Sequence, residues 1–226
     1  MSNESLVRRQ LEDSLDLSSL RDVLKADEVV MLLIDTSDSM KSYLRGNENE
    51  PATKRRIDAL REVVATIKNQ GTVPMIAFGG PYDAQVRFVD NVPEPDGSTP
   101  LHIAIPMAKT YGASRVVVIS DGCPDLTEQC MTEARSFGGR IDVVFVGDKG
   151  DSGEAFLAAL ARLTGGSSSV GDLRDVKQLS RGIIGLLEGD VEERAPIQGE
   201  GFTSVEPLDA EVDDDEEDEE DEDDDA

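Results

Sequence analysis

Oxygen-bearing side chains recur at alternate positions in residues 35–39, which read Asp-Thr-Ser-Asp-Ser. This stretch directly follows residues 29–34, an apolar run without alternation that predicts a strand covered on both faces of a parallel sheet. Ligands of open α/β sheets bind outside the carboxyl ends of the strands. These five residues alone are equally compatible with a cation site and with a solvated turn that caps the strand.

Two other segments bring oxygen atoms to the same predicted edge. Residues 115–120 contain the apolar run Val-Val-Val-Ile, and Asp121-Gly122 follows directly. Thr99 precedes Pro100 at the predicted start of a helix, where a threonine could simply cap that helix. Together the three segments would supply three hydroxyls and two carboxylates. The candidate metal ligands are Asp35, Ser37, Ser39, Thr99 and Asp121.

The elements that must position these residues alternate between strands and helices along the chain. Apolar runs predict strands over residues 29–34, 72–78, 85–89, 115–120, 141–146 and 167–170, with the 85–89 strand at an edge. Apolar residues spaced by three or four predict the intervening helices, one of which would bury Leu126, Cys130, Ala134 and Phe137. This order predicts an α/β fold with a Rossmann-like, doubly wound, mostly parallel sheet flanked by helices.

Composition divides the chain into four parts. Residues 1–27 form a predicted N-terminal helical extension, 28–189 the folded domain, 190–212 a linker and 213–226 a disordered acidic tail. The net charge of the chain is −26, but 13 of its 48 acidic residues lie in one run, so the rest carries 35 acids against 22 bases. The tail could increase solubility, recruit a basic partner, or occupy the predicted metal site in cis.

At this point the sequence resembles the von Willebrand factor A (VWA) domain family over about residues 28–188. The metal-ion-dependent adhesion site (MIDAS) of that family reads D-x-S-x-S, then a Thr, then an Asp after the fourth strand. All five positions match, and the segments 97–101 and 119–122 also look like the family. One departure is Asp38, where many members have glycine.

The resemblance implies a site for Mg²⁺, with Mn²⁺ fitting the same oxygen ligands. In the family the serine and threonine equivalents coordinate the ion directly, while the aspartates act largely through water. The resemblance therefore implies a Mg-dependent protein-protein interaction module that binds a partner's Asp or Glu, as an accessory to an AAA+ ATPase or a larger assembly. The alternative is a structural or regulatory subunit bound through its N-terminal helices or acidic tail, with the metal only stabilising loops.

Other function classes are disfavoured by the sequence. The negative charge argues against direct nucleic-acid binding, and no run approaches the ~18 apolar residues of a membrane span. Cys123 and Cys130 are too few and too widely spaced for a disulfide framework, which predicts a reduced, cytoplasmic protein. An enzyme is disfavoured because Ser37 stands where a D-x-D phosphoryl-transfer motif needs a carboxylate, and His102 is the sole histidine.

Overall fold

A single sheet of six strands forms the centre of the described structure. The computed structural model describes residues 28–44, 54–81 and 85–189. The strands are β1 (Val30–Asp35), β2 (Met75–Phe78), β3 (Val86–Phe88), β4 (Arg115–Ser120), β5 (Arg140–Phe145) and β6 (Ser168–Val170). Their order is β3-β2-β1-β4-β5-β6, and all neighbours are parallel except β3, which runs antiparallel to β2 at one edge. The predicted fold class is confirmed.

Five helices of the described part cover the two faces of this sheet. They are α1 (Arg56–Lys68), α2 (Leu101–Thr110), α3 (Thr127–Phe137), α4 (Ser152–Leu163) and α5 (Val176–Glu188), and a 3₁₀ turn (Asp38–Lys41) follows β1. Apolar side chains of α1 and α5 pack on one face, and those of α2, α3 and α4 pack on the other. Two of the helices begin at aspartates whose carboxylates accept backbone hydrogen bonds, α4 at Asp151 and α5 at Asp175.

The central strand β1 shows why the apolar run has no alternation. Met31 and Leu33 contribute to the core beneath α2, α3 and α4, whereas Leu32 and Ile34 contribute to the core beneath α1 and α5. All four side chains are at most 1% exposed. Because both faces are covered by helices, every position of β1 must be apolar until the strand reaches the edge of the sheet.

Three local predictions need correction. Strand β2 begins at Met75 rather than at residue 72, because the ladder with β1 starts at Met75 and the preceding Pro74 has no N–H to donate. Leu126 is 50% exposed, since it precedes α3 with a non-helical backbone (φ −123°, ψ 78°) and its side chain leaves the helical face. Pro100 is the N-cap of α2 and not its first helical residue.

Several predictions concern residues outside the described ranges. The N-terminal extension (1–27), the linker (190–212) and the acidic tail (213–226) therefore stay predictions, as does the regulatory role of the tail. Within the described ranges, no helix combines the length and the apolar character that crossing a bilayer requires.

Candidate metal site

The candidate site lies where β1 and β4 end. Asp35 is the last residue of β1, and Ser37 and Ser39 lie in the turn and the 3₁₀ helix that follow. Asp121 comes directly after β4. The two strands are neighbours in register, with Ile34 opposite Ile119. The carboxylates therefore lie at adjacent strand ends on the carboxyl edge of the sheet, where the sequence predicted them.

Hydrogen bonds join the oxygen atoms of this edge into a chain. The hydroxyls of Ser37 and Ser39 are 2.9 Å apart, and the Ser39 hydroxyl donates to Asp121 Oδ1 at 2.6 Å. The backbone N–H of Ser37 donates to Asp35 Oδ1 at 2.8 Å. The other oxygen of Asp35 accepts a 2.5 Å hydrogen bond from Ser120. Four of the five candidate ligands are thus held together, and Ser39, which lies between Ser37 and Asp121 in this chain of hydrogen bonds, is the exposed member.

Thr99 lies in the neighbouring loop, two residues after Gly97, whose carbonyl accepts from the N–H of Asp38. Its backbone N–H donates to both carboxylate oxygens of Asp125, at 3.1 and 3.0 Å, and its carbonyl accepts from the N–H of Asp125. No hydrogen bond joins the Thr99 hydroxyl to the other four candidate ligands, all of which lie in the described ranges. The helix that follows has Pro100 as N-cap without a side-chain cap, so the alternative role of Thr99 as a helix cap is wrong.

Main-chain contacts through two glycines hold these loops against one another. Gly79 has φ +121°, and a Cβ there would lie 2.4 Å from the carbonyl carbon of Thr36. Gly97 has φ +69°, and a Cβ there would lie 2.3 Å from the carbonyl oxygen of Gly80. The Gly97 carbonyl also accepts a 3.0 Å hydrogen bond from the N–H of Asp38. Only glycine permits such approaches, which fix the loop of Thr99 beside the loop of Ser37 and Ser39.

Asp38 itself causes no backbone strain. Every residue with positive φ in the described ranges is a glycine, so the departure from glycine at this position is accommodated in ordinary helical geometry. Its carboxylate is exposed and pairs with Lys41 at 2.6 Å.

The electrostatics of the site disfavour an ionised Asp35. Burial, and then the nearby charge of Asp121, raises the pKa of Asp35 from 3.8 to about 7, although hydrogen bonds from Ser120 and Ser37 act in the opposite direction. A cation beside the carboxylate would reverse this effect by compensating its charge.

Three residues contact the candidate ligands without having been assigned a role from the sequence, namely Ser120, Asp125 and Arg56, and a fourth, Asp148, contacts Arg56. Ser120 stood inside the quoted 119–122 motif, and Asp125 follows Asp121 by four residues, so both had a weak local signal. Arg56 donates to Asp121 Oδ2 at 2.7 Å and approaches Asp148 at 3.2 Å. Asp148 belongs to the loop after β5 that the sequence marked only as a loop. Neither Arg56 nor Asp148 has a sequence pattern that points to this edge.

The donor set fits a hard divalent cation on chemical grounds. It contains oxygen atoms only, from hydroxyls and carboxylates, which are the ligands that Mg²⁺ prefers. Within the described ranges, no group of three or more His, Cys, Asp or Glu side chains is placed to hold a metal ion. The candidate set is of a different kind, because it combines two carboxylates with three neutral hydroxyls.

Comparisons with known proteins agree with the fold. No family model and no curated protein matches the sequence. Among solved structures, a von Willebrand factor type A protein from Catenulispora acidiphila superimposes over 75% of this chain with a TM-score of 0.53 and 15% identity. This chain spans 44% of that chain's length. An uncharacterised membrane-spanning protein from Vibrio fischeri is matched over 74% of this chain and 100% of its own length, with 14% identity. Its TM-score of 0.29 is too low to define a shared fold. The chain therefore has a VWA-like α/β fold.

Proposed function

We propose that this protein is a Mg²⁺-dependent protein-binding module that captures an Asp or Glu side chain of a partner. The observation that supports the proposal is the connected oxygen chain from Ser37 through Ser39 to Asp121, at the carboxyl edge of a VWA-like sheet. When bound, Mg²⁺ would supply a Lewis-acidic position open to a carboxylate oxygen. Thr99 and the buried Asp35 would complete the ligand set, and Mn²⁺ would fit the same oxygens.

Exposed apolar side chains beside the site support an interaction surface. Leu126 is 50% exposed and follows Asp125, whose carboxylate and N–H both bind the backbone of Thr99. Ile103 is 42% exposed and lies about one helical turn beyond Thr99. A protein segment that presents a carboxylate to the metal would cover these side chains, and their burial would favour the complex.

The proposal includes no catalytic step. Ser37 occupies the position at which a phosphoryl-transfer site would need a second carboxylate. His102 lies on α2, where its Nδ1 is buried without a hydrogen-bond partner. We further propose a cytoplasmic setting, supported by the free thiols of Cys123 and Cys130, and a role as an accessory to an AAA+ ATPase or a larger assembly.

Calorimetric titration with MgCl₂ tests the metal site directly. We expect saturable binding by the wild-type protein and a loss of at least about tenfold in affinity for Ser39→Ala, because a ligand oxygen is removed. Ser98→Ala is the matched control, since Ser98 is an exposed hydroxyl in the adjoining loop and makes none of the site's contacts. If the wild type, Ser39→Ala and Ser98→Ala bound Mg²⁺ with equal affinity, the metal would not be bound at the candidate site.

Partner capture in Mg²⁺ and in EDTA then tests the function. A partner retained only with Mg²⁺, and lost in a folded Asp35→Ala variant, supports the binding module. A partner retained equally in both buffers and by the variant supports instead the structural or regulatory subunit, with the metal acting only on the loops.

A further inference from the structure

An arginine binds the carboxylate of Asp121 through the oxygen that does not face the other candidate ligands. Arg56 is the first residue of α1, and its side chain is 14% exposed. One terminal nitrogen of its guanidinium donates to Asp121 Oδ2 at 2.7 Å. The other lies 3.2 Å from an oxygen of Asp148, whose side chain is 47% exposed. The guanidinium therefore bridges a fully buried carboxylate and a half-exposed one.

The carboxylate of Asp121 is shared between the candidate ligand set and this ion pair. Its Oδ1 accepts from the Ser39 hydroxyl at 2.6 Å, and its Oδ2 accepts from Arg56. The backbone N–H of Arg56 donates to the Ser42 carbonyl at 2.9 Å, directly after the 3₁₀ turn that contains Ser39. Arg56 is thus fixed by the same segment that supplies the hydroxyls.

The charge of Arg56 affects both the binding of Mg²⁺ and the binding of a partner's carboxylate to the loaded site. Asp35 and Asp121 carry two negative charges when ionised, which match the two positive charges of Mg²⁺. The guanidinium adds a third positive charge, and the solvated Asp148 compensates it only in part. A nearby cation opposes the binding of Mg²⁺, and it favours the approach of an anion once Mg²⁺ is bound.

We propose that Arg56 is a resident cation that weakens Mg²⁺ binding and strengthens carboxylate binding at the loaded site. This inference rests on the proposed metal site. Arg56 therefore couples the two binding events. Mg²⁺ alone binds more weakly, whereas Mg²⁺ and a partner's carboxylate bind more favourably together than separately. Arg56 acts through charge on the site and is a positioning residue for Asp121, not itself a metal ligand.

Replacement of the arginine by a neutral polar side chain provides the test. In Arg56→Gln we expect calorimetric Mg²⁺ affinity to rise by about tenfold at low ionic strength, because one repelling charge is removed. With Mg²⁺ saturating, we expect the affinity for acetate, used as the carboxylate probe, to fall by a similar factor. Arg56→Lys keeps the positive charge and, because the inference assigns the effect to charge, should stay within about twofold of the wild type in both titrations.

A matched control lies on the same helix. Arg61 pairs with Asp58 and Glu94, both at 2.9 Å, and contacts none of the candidate ligands. Arg61→Gln removes the same charge and should leave both affinities unchanged. As a second readout, the melting temperature in EDTA should fall for Arg56→Gln, because Asp121 loses its buried partner, and saturating Mg²⁺ should restore most of that loss.

The outcomes separate this inference from the proposed function. Saturable Mg²⁺ binding by the wild type, together with unchanged or weaker binding by a folded Arg56→Gln variant, overturns the inference and leaves the metal site standing. Tighter binding by Arg56→Lys as well as Arg56→Gln also overturns it, because contact geometry and not charge would then be responsible. Absence of saturable binding in both the wild type and Arg56→Gln overturns the metal site together with the inference.

Discussion

Asp35→Asn should stabilise the metal-free protein above neutral pH, although most substitutions of buried residues destabilise. Asp35 is fully buried, and its pKa rises from 3.8 to about 7, first through burial and then through the charge of Asp121. At 1.36 kcal/mol per pKa unit, the ionised form costs the folded state about 4 kcal/mol. Asparagine has nearly the same shape and no charge, so it avoids this cost.

The sign of the pH dependence follows from the raised pKa. Because the folded state holds the proton more tightly than the unfolded state, the stability contributed by Asp35 is fully present below about pH 4 and is lost as the pH rises through about 7. Asp35 also accepts hydrogen bonds from Ser37 N–H and Ser120 Oγ, and the amide can accept only one of them, which costs about 1 kcal/mol. The variant should therefore be more stable than the wild type by about 3 kcal/mol at pH 8, with the advantage falling below about 1 kcal/mol at pH 5.

Urea denaturation at pH 5 and pH 8 in EDTA, followed by circular dichroism, measures this difference. Added Mg²⁺ should stabilise the wild type at pH 8 and should not stabilise the variant, because the site has lost an anionic residue. A metal-free Asp35→Asn protein that is less stable than the wild type at pH 8 would refute the reasoning, since burial of the ionised carboxylate would then not be the dominant cost.

Three further predictions concern the site loops, the candidate ligand set and a buried ion pair of β5, and the last of them includes a surface substitution as its control. Gly79→Ala should lower the free energy of unfolding by about 3 kcal/mol or more, because φ is +121° and a Cβ would lie 2.4 Å from main chain; an unchanged urea midpoint would contradict this. Thr99→Val should weaken Mg²⁺ binding by at least about tenfold in calorimetry with little change in melting temperature, because Thr99 is not a helix cap. If Thr99→Val lost much stability and still bound Mg²⁺ normally, Thr99 would be a structural residue and not a metal ligand. Asp142→Ala should cost about 3–5 kcal/mol in chemical denaturation, because the fully buried carboxylate accepts from Arg115 at 2.9 Å. Asp172→Ala, which removes a surface pair, should cost less than about 1 kcal/mol, and equal losses for the two would contradict the role of burial.

The sequence was sufficient to predict the sheet and the edge of it at which the candidate residues Asp35 and Asp121 lie. β1 and β4 are covered on both faces, so their apolar runs end abruptly at the edge, and the polar residues that follow must lie there. Asp35 and Asp121 could therefore be assigned to one edge without coordinates. This assignment needs only two things: the positions where the strands end, which local composition indicates, and the parallel direction of the strands, which brings those ends to one edge.

Other features depend on contacts that leave no local pattern. Arg56 reaches Asp121 across 65 positions of sequence, and an arginine in the first turn of a helix is ordinarily a solvated residue. Leu126 follows the helical spacing of its neighbours but lies one residue before α3, where a non-helical backbone turns its side chain outward. Side-chain direction at a helix boundary cannot be read from periodicity, because periodicity assumes that the helix has already begun.

The main-chain packing of the site loops has a consequence for redesign. Gly79 and Gly97 hold the loops together through backbone atoms. The exposed side chains on the same loops therefore contribute little to the loop conformation. Asp38 and Ser98 can therefore be varied as a library without disturbing the oxygen ligands beneath them. If the proposed metal site binds Mg²⁺, variants at these two exposed positions could be selected for recognition of new acidic peptides without replacing any of the candidate ligands.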